Sequence, residues 1–222
     1  KAMRLKEAPV LRLYKLETDS KDHQRYVQAD IDNMLDSIKN EPGTLFMQTG
    51  HEDEGTNYVF ECYKDLDQYN VHANSPQFKD FTKTAKEILT NRVMVELQPE
   101  FIATSKEKLA VAEPEGYVAY LTEIGVGFDK GDEFAHGVLK EMEAAVKQED
   151  DILTMIAGTV VDQPNEWLSL EIYKNEEAYQ KHTETTYFKN YLKETKYCVE
   201  SKGLHKFTPD VVASQGEILY RP

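Results

Sequence analysis

Residues 61–81 and 171–191 carry one pattern, Glu-x-Tyr-Lys-x4-Tyr-x2-His-x5-Phe-Lys-x-aromatic, repeated at a spacing of 110 with no gap. Seven of the 21 positions are identical, where unrelated segments would share roughly one or two. Pro99 and Pro209 keep the same spacing, each followed by an acid (Glu100, Asp210) and an apolar stretch. So long a period describes two domains in tandem rather than a solenoid of short units. The chain of 222 residues supplies two domains of ordinary size, and the expected division is 1–107 and 108–222.

Within the first repeat, residues 10–16 read as an apolar strand. Residues 22–40 place Val27, Ile31, Met34, Leu35 and Ile38 at helical spacing before Glu41-Pro42-Gly43 stops the helix. Strands 44–50 and 57–63 flank the polar, glycine-bearing stretch Glu52-Asp53-Glu54-Gly55, which suits a hairpin. A short helix at 66–73 meets a cap and break at Asn74-Ser75-Pro76, and a second helix spans 77–89 with Phe78, Phe81, Ala85, Ile88 and Leu89 on one side. A strand at 92–97 closes the unit ahead of Pro99.

The second half repeats this order at 117–126, 133–148, 154–161, 167–173, 176–199 and 204–207. Val138, Met142, Ala145 and Val146 align with Val27, Ile31, Met34 and Leu35 at a spacing of 111, which implies one residue lost in the loop that follows. Residues 106–115 read as the linker between halves, and 217–220 as a further strand.

The order β-α-β-β-α-β is the ferredoxin-like split βαβ, an antiparallel sheet with helices on one face. In 167–173, Leu168, Leu170 and Ile172 share one face, while Trp167, Ser169, Glu171 and Tyr173 share the other. Helices cover one of these faces, and the simplest cover for the other is the equivalent sheet of the second repeat. The expected fold is α+β: two ferredoxin-like (βαββαβ) repeats forming an intramolecular dimeric α+β barrel, a pseudo-dimer within one chain.

Net charge is −14 with the acidic excess spread along the chain, so nucleic acid and anionic membrane surfaces are excluded as natural partners. No run of 18 apolar residues suits a membrane span, and a soluble cytoplasmic protein is expected. Cys62 and Cys198 stand where the other repeat has Ile172 and Ile88, which marks both as small core residues rather than nucleophiles or a redox pair. No Cys/His cluster has zinc-ligand spacing and no glycine-rich loop has that of a nucleotide site. The expectation is no metal and no cofactor.

The stretch Glu41-Pro42-Gly43-Thr44, then Glu61-Cys62-Tyr63-Lys64-Asp65, Tyr69-Asn70-Val71-His72 and Ser75-Pro76-Gln77-Phe78 resembles the antibiotic biosynthesis monooxygenase (ABM) superfamily of dimeric α+β barrels. The second half fits at Glu171, Tyr173, Tyr179, His182 and Phe188, but Asp151-Ile152-Leu153 replaces Pro-Gly and Thr185-Thr186 replaces Ser-Pro. The resemblance implies cofactor-independent oxygenation of a small aromatic or polyphenolic substrate. The haem-degrading branch of the family would show an Asn on the first strand, a Trp ending the third strand and a ligand His after the helix Phe. Here those places hold the run Val10 to Tyr14, Tyr63 or Tyr173, and Thr82 or Leu192, which disfavours haem.

His72 and His182 are the candidate bases, because imidazole titrates near neutrality; a ring packed on Tyr69 or Tyr179 would serve structure alone. Glu61 and Glu171 are the alternative bases, with raised pKa values if buried beside phenols. Tyr63, Tyr69, Phe78, Phe81, Tyr173, Tyr179, Phe188 and Tyr191 would line a pocket for a small apolar or aromatic molecule, or form core. Trp167, opposite Asn57, with His51 opposite Val161 and His205 opposite Val95, reads as local packing. The sequence leaves two other roles open: a non-catalytic small-ligand-binding or stress-response module, and an interaction protein with a filled interior.

Overall fold

The computed structural model describes residues 1–222. After a short edge strand β1 (Met3–Leu5), the first repeat runs β2 (Val10–Thr18), α1 (His23–Asn40), β3 (Thr44–Asp53), β4 (Thr56–Tyr63), α2 (Leu66–Ala73), α3 (Pro76–Ile88) and β5 (Leu89–Thr104). A short strand β6 (Leu109–Ala112) lies in the connection. The second repeat runs β7 (Val118–Val126), α4 (Gly131–Gln148), β8 (Ile152–Val160), β9 (Gln163–Tyr173), α5 (Glu176–Thr183), α6 (Thr186–Thr195) and β10 (Val199–Ser214), and β11 (Ile218–Tyr220) closes the chain. The strand expected at 217–220 is β11, whereas the stretch read as linker contains β6, which pairs with β10.

Strands β5-β2-β4-β3-β10-β7-β9-β8 follow one another around a barrel that closes where β8 pairs with β5. Two strands join the halves. The first part of β5 pairs with β2 of its own repeat and its last part with β8 of the other; β10 likewise pairs first with β7 and then with β3. The strands expected to stop before Pro99 and Pro209 therefore run through them. Each proline sits at a bulge, with the register shifting between Pro99 and Phe101 and between Pro209 and Val211. A bulge is where a strand tolerates a residue without an N–H. Glycine stands opposite each proline: Gly158 pairs with Pro99 and Gly50 with Pro209. A Cβ on Gly50 would come within 2.6 Å of the Thr208 carbonyl oxygen, and one on Gly158 within 2.9 Å of that of Gln98.

The register also corrects the alignment of the repeats. Met47 pairs with Glu61 and Met155 with Glu171, so elements before the hairpin correspond at a spacing of 108 and those after it at 110. The second repeat carries two extra residues in the β8–β9 connection rather than losing one after α4. The spacing of 111 read from apolar residues was in error by three, which rotates a helix face by only about 60°. An apolar stripe looks much the same after that shift.

Leu11, Leu13, Phe60, Cys62, Leu168, Leu170, Ile172 and Phe207 meet inside the barrel in one buried cluster drawn from both repeats. The alternate residues of β4 and β9 face the helices: Val59 and Tyr63 pack with Tyr26, Val27 and Met34 of α1, and Trp167 packs with Phe134, Val138 and Met142 of α4. Cys62 and Cys198 are fully buried free thiols, and burial pushes the Cys62 thiol up to about 12. No helix is long and apolar enough to cross a membrane.

Candidate functional site

The polar groups of each repeat collect between the helices and the outer face of its sheet. In the first repeat, Asp65 caps α2 by accepting from the Gln68 N–H, and Ser75 caps α3 by accepting from Phe78 with Pro76 in the first turn. This tight junction fixes His72 in the last turn of α2. Its ring is fully buried between Tyr63 and Phe78, with centroids 5.5 and 4.9 Å away. Nδ1 lies 3.0 Å from Glu41 Oε1 and 3.2 Å from Ser37 Oγ. Glu41 is the residue that ends α1, and it also accepts from Thr44 Oγ1 at 2.6 Å. Burial works against its charge, but the hydrogen bonds from His72 and Thr44 hold the carboxyl below its ordinary value. A carboxylate at Nδ1 assigns the proton to that nitrogen and leaves Nε2 as the acceptor. His72 Nε2 has no partner in the protein.

His72 borders a cavity of about 530 Å³, within the size range of small-molecule sites. Tyr14, Val59, Phe78, Phe81 and Ala85 supply apolar walls, Asp30, Asn33, Glu61 and His72 a polar floor, and the exposed Lys86 and Arg92 stand on its rim. Asp30 is held by Tyr26 Oη at 3.0 Å and Asn33 Nδ2 at 3.3 Å, and burial raises its carboxyl to about 7. Glu61 accepts from Tyr63 Oη at 2.5 Å; burial raises it too, although His72, Tyr63 and Arg12 oppose the shift. Glu61 is half-buried and borders the cavity.

The second repeat builds the same frame and fills it. Asn175 and Thr185 cap α5 and α6 as Asp65 and Ser75 cap their counterparts, so Thr185 does the work of the absent Ser-Pro. His182 is again buried between Tyr173 and Phe188, and Glu149, the residue that ends α4, approaches its Nδ1 at 2.8 Å. Glu141 then brings Oε1 to 3.0 Å from Nε2, an ion-pair distance without hydrogen-bond alignment. Burial lowers the His182 pKa, but the two carboxylates outweigh it and raise the value to about 10. His182 is therefore an imidazolium at neutral pH. The remaining cavity is about 70 Å³. Trp167 stands where the first repeat has Asn57, and its ring meets Phe134 edge-on at 5.1 Å. Tyr120, in the place of Arg12, stacks on Tyr179 at 3.6 Å, where Arg12 lies over Tyr69 at 4.2 Å.

Of the residues singled out in the sequence, Glu61, Tyr69, His72, Phe78 and Phe81 border the larger cavity. Glu171, Tyr179, Phe188 and Tyr191 border the small one. Tyr63 and Tyr173 lie behind Glu61 and Glu171, in the core. Asp30, Asn33 and Tyr14 went unread, yet a signal existed: Asp30 and Asn33 interrupt the buried face of α1 otherwise made by Tyr26, Val27 and Met34. The one group of three side chains with metal-ligand geometry, His23, His51 and Asp210, lies outside both cavities.

The chain is similar over its whole length to two candidate monooxygenases of known structure. The protein from Lactobacillus acidophilus is 32% identical, with 96% of this chain and 99% of that chain covered and a TM-score of 0.90. The protein from Fusobacterium nucleatum is 25% identical, with 98% and 99% covered and a TM-score of 0.88. An anthrone oxidase-like protein, 13% identical over 97% of each chain with a TM-score of 0.60, shares the fold. No curated protein matches the sequence. The family model described as antibiotic biosynthesis monooxygenase matches residues 10–84 and again residues 118–194. Both halves of the barrel thus answer to one domain pattern, and the chain belongs to the antibiotic biosynthesis monooxygenase family as a tandem duplication of its domain.

Proposed function

We propose that the first-repeat cavity is the active site of a cofactor-independent monooxygenase for a small planar phenol, and that the second repeat is the packed partner that closes the barrel. One contrast carries this reading. His72 borders a cavity of about 530 Å³ and its Nε2 has no partner in the protein, while His182 is flanked by carboxylates at both nitrogens and the cavity of its repeat is about 70 Å³.

In this scheme the aromatic walls hold the substrate ring and exclude water. His72 Nε2 accepts the phenolic proton, and Glu41 steadies the imidazolium that forms. The raised carboxyls of Asp30 and Glu61 lessen the repulsion a substrate anion would meet. The phenolate gives one electron to O2, and the two radicals join through the ring carbon para to the oxygen. Loss of water from that hydroperoxide, with removal of the ring C–H proton, leaves a quinone. One oxygen atom enters the product and the other leaves as water, with the substrate supplying all four electrons.

Aerobic incubation with a panel of phenols and hydroquinones, followed by oxygen uptake and product mass, tests the reading. His72→Ala should lower the rate by about 100-fold or more, and His182→Ala should leave the rate per folded molecule unchanged. Equal rates in wild type and His72→Ala would remove the histidine from the mechanism. Thermal stabilisation by the same phenols without oxygen uptake would make the cavity a binding site only.

A further inference from the structure

We propose that His23, His51 and Asp210 form a binding site for one divalent transition-metal ion, zinc above all, at the seam between the two repeats. One ligand atom from each residue lies within 4.8 Å of the other two. The three come from separate elements: His23 from the first turn of α1, His51 from β3, and Asp210 from the bulge at which β10 crosses onto β3. The bulge matters because its extra residue is released from the ladder and its side chain can be re-aimed. Asp210 Oδ2 lies 2.7 Å from His51 Nδ1, and the two imidazoles meet edge to face with centroids 4.5 Å apart.

A hydrogen-bonded His–Asp pair accounts for His51 and Asp210 but not for His23. That ring is 6% exposed, and its Nδ1 is buried without any partner. Buried polar atoms are nearly always satisfied, and a metal ion completed by Asp210 and His51 is a partner of the right chemistry. Two imidazoles and a carboxylate are a ligand set for zinc and its first-row neighbours, with the remaining position left to water. His51 is only half-buried, so the site has a solvent side, and the nearby Asp53 and Glu54 favour a cation there. In a tetrahedral site with bonds of about 2.0 Å the ligand atoms stand roughly 3.3 Å apart, so the ion would draw His23 inward.

The other end of the pseudo-twofold gives an internal control. Glu100 occupies the matching bulge, where it meets Thr159 at 3.5 Å, and Gly131 stands in the place of His23. The barrel closes there without any such cluster, so the crossover does not require one. The consequence of binding is local. Tyr26, one turn after His23, and Thr49, two residues before His51, meet at 2.8 Å, and Tyr26 also holds Asp30 at the cavity floor. An ion joining α1, β3 and β10 would pin the elements that position that floor.

The test uses the full-length chain, free of any histidine tag and stripped with chelator, titrated with Co2+ and Zn2+. The expected result is one equivalent bound, visible d–d absorption from the Co2+ form that Zn2+ abolishes, and a rise in Tm with Zn2+. Asp210→Asn and His23→Phe, the latter keeping an aromatic ring against His51, should each weaken binding by about 100-fold and remove the Tm rise. Far-UV circular dichroism of the metal-free variants establishes that they are folded. Should either variant fail to fold, His51→Gln serves in its place. No stoichiometric binding at ~100 µM metal, or binding unchanged in the folded variants, overturns the proposal.

Discussion

Glu141 Oε1 lies 3.0 Å from His182 Nε2, and the residue that replaces it in the first repeat, Asn33, leaves His72 Nε2 without a partner. One substitution on the buried face of a helix thus separates two histidines that sit in the same motif, on the same short helix, between the same pair of aromatic rings. For His182 the protonation state follows from it: a second carboxylate favours the imidazolium.

Removing the His182 ring leaves Glu141 and Glu149, which are 4% and 16% exposed, facing a void with no cation between them. His182→Ala is expected to destabilise the fold by about 3–5 kcal/mol, the usual cost of breaking a buried pair. Urea unfolding at pH 7 measures it, and a loss below about 1 kcal/mol would show that the pair is not buried as described.

Glu141→Asn gives the second repeat the arrangement of the first. The His182 pKa should fall from about 10 toward the ordinary histidine range, which NMR titration of the imidazole Cε1–H resonance would follow. A pKa still near 10 would mean that Glu149 alone sets it.

Asp30 supplies a pH dependence of stability with a definite sign. Its folded pKa is raised from 3.8 to about 7 by burial, so the folded state binds the proton more tightly than the unfolded chain does. Its contribution is full below about pH 4 and is lost as pH rises to 7. Asp30→Asn, which keeps an acceptor for Tyr26, should raise stability at pH 8 and flatten the pH 4–7 slope of the unfolding free energy. An unchanged slope would reassign the dependence to other groups.

At the crossover, Gly50→Ala should cost about 1–3 kcal/mol, as overpacking does elsewhere, because the added Cβ would meet both the Phe207 ring and the Thr208 carbonyl. Thermal unfolding in paired samples of wild type and variant would detect it. A neutral result would mean that β10 can move away from β3 without loosening the barrel.

Fold and site were legible to different degrees. The spacing of 110 marked a duplication, and the alternation in 167–173 showed that each sheet had two faces to bury, so a second sheet had to supply a cover. Pro99 and Pro209 were read as strand ends, since a proline cannot donate to a ladder; that each would sit at a bulge opposite a glycine depends on the partner strand. The alignment of α1 with α4 is three residues out of register because apolar periodicity carries little information about a three-residue shift.

Sequence alone determined that the chain holds two copies of one domain, that the copies must bury a sheet face against each other, and which aromatic and histidine positions they share. These are properties of spacing and alternation, which are local. Tertiary structure decided that the copies are unequal: Trp167 and Phe134 fill one cavity while about 530 Å³ remains beside His72, and Glu141 faces the His182 Nε2 while the Nε2 of His72 has no partner. It also brought His51 and Asp210 together across 159 residues. Volume, pairing and ligand geometry depend on which side chains from distant elements meet in one place, and no period along the chain encodes that.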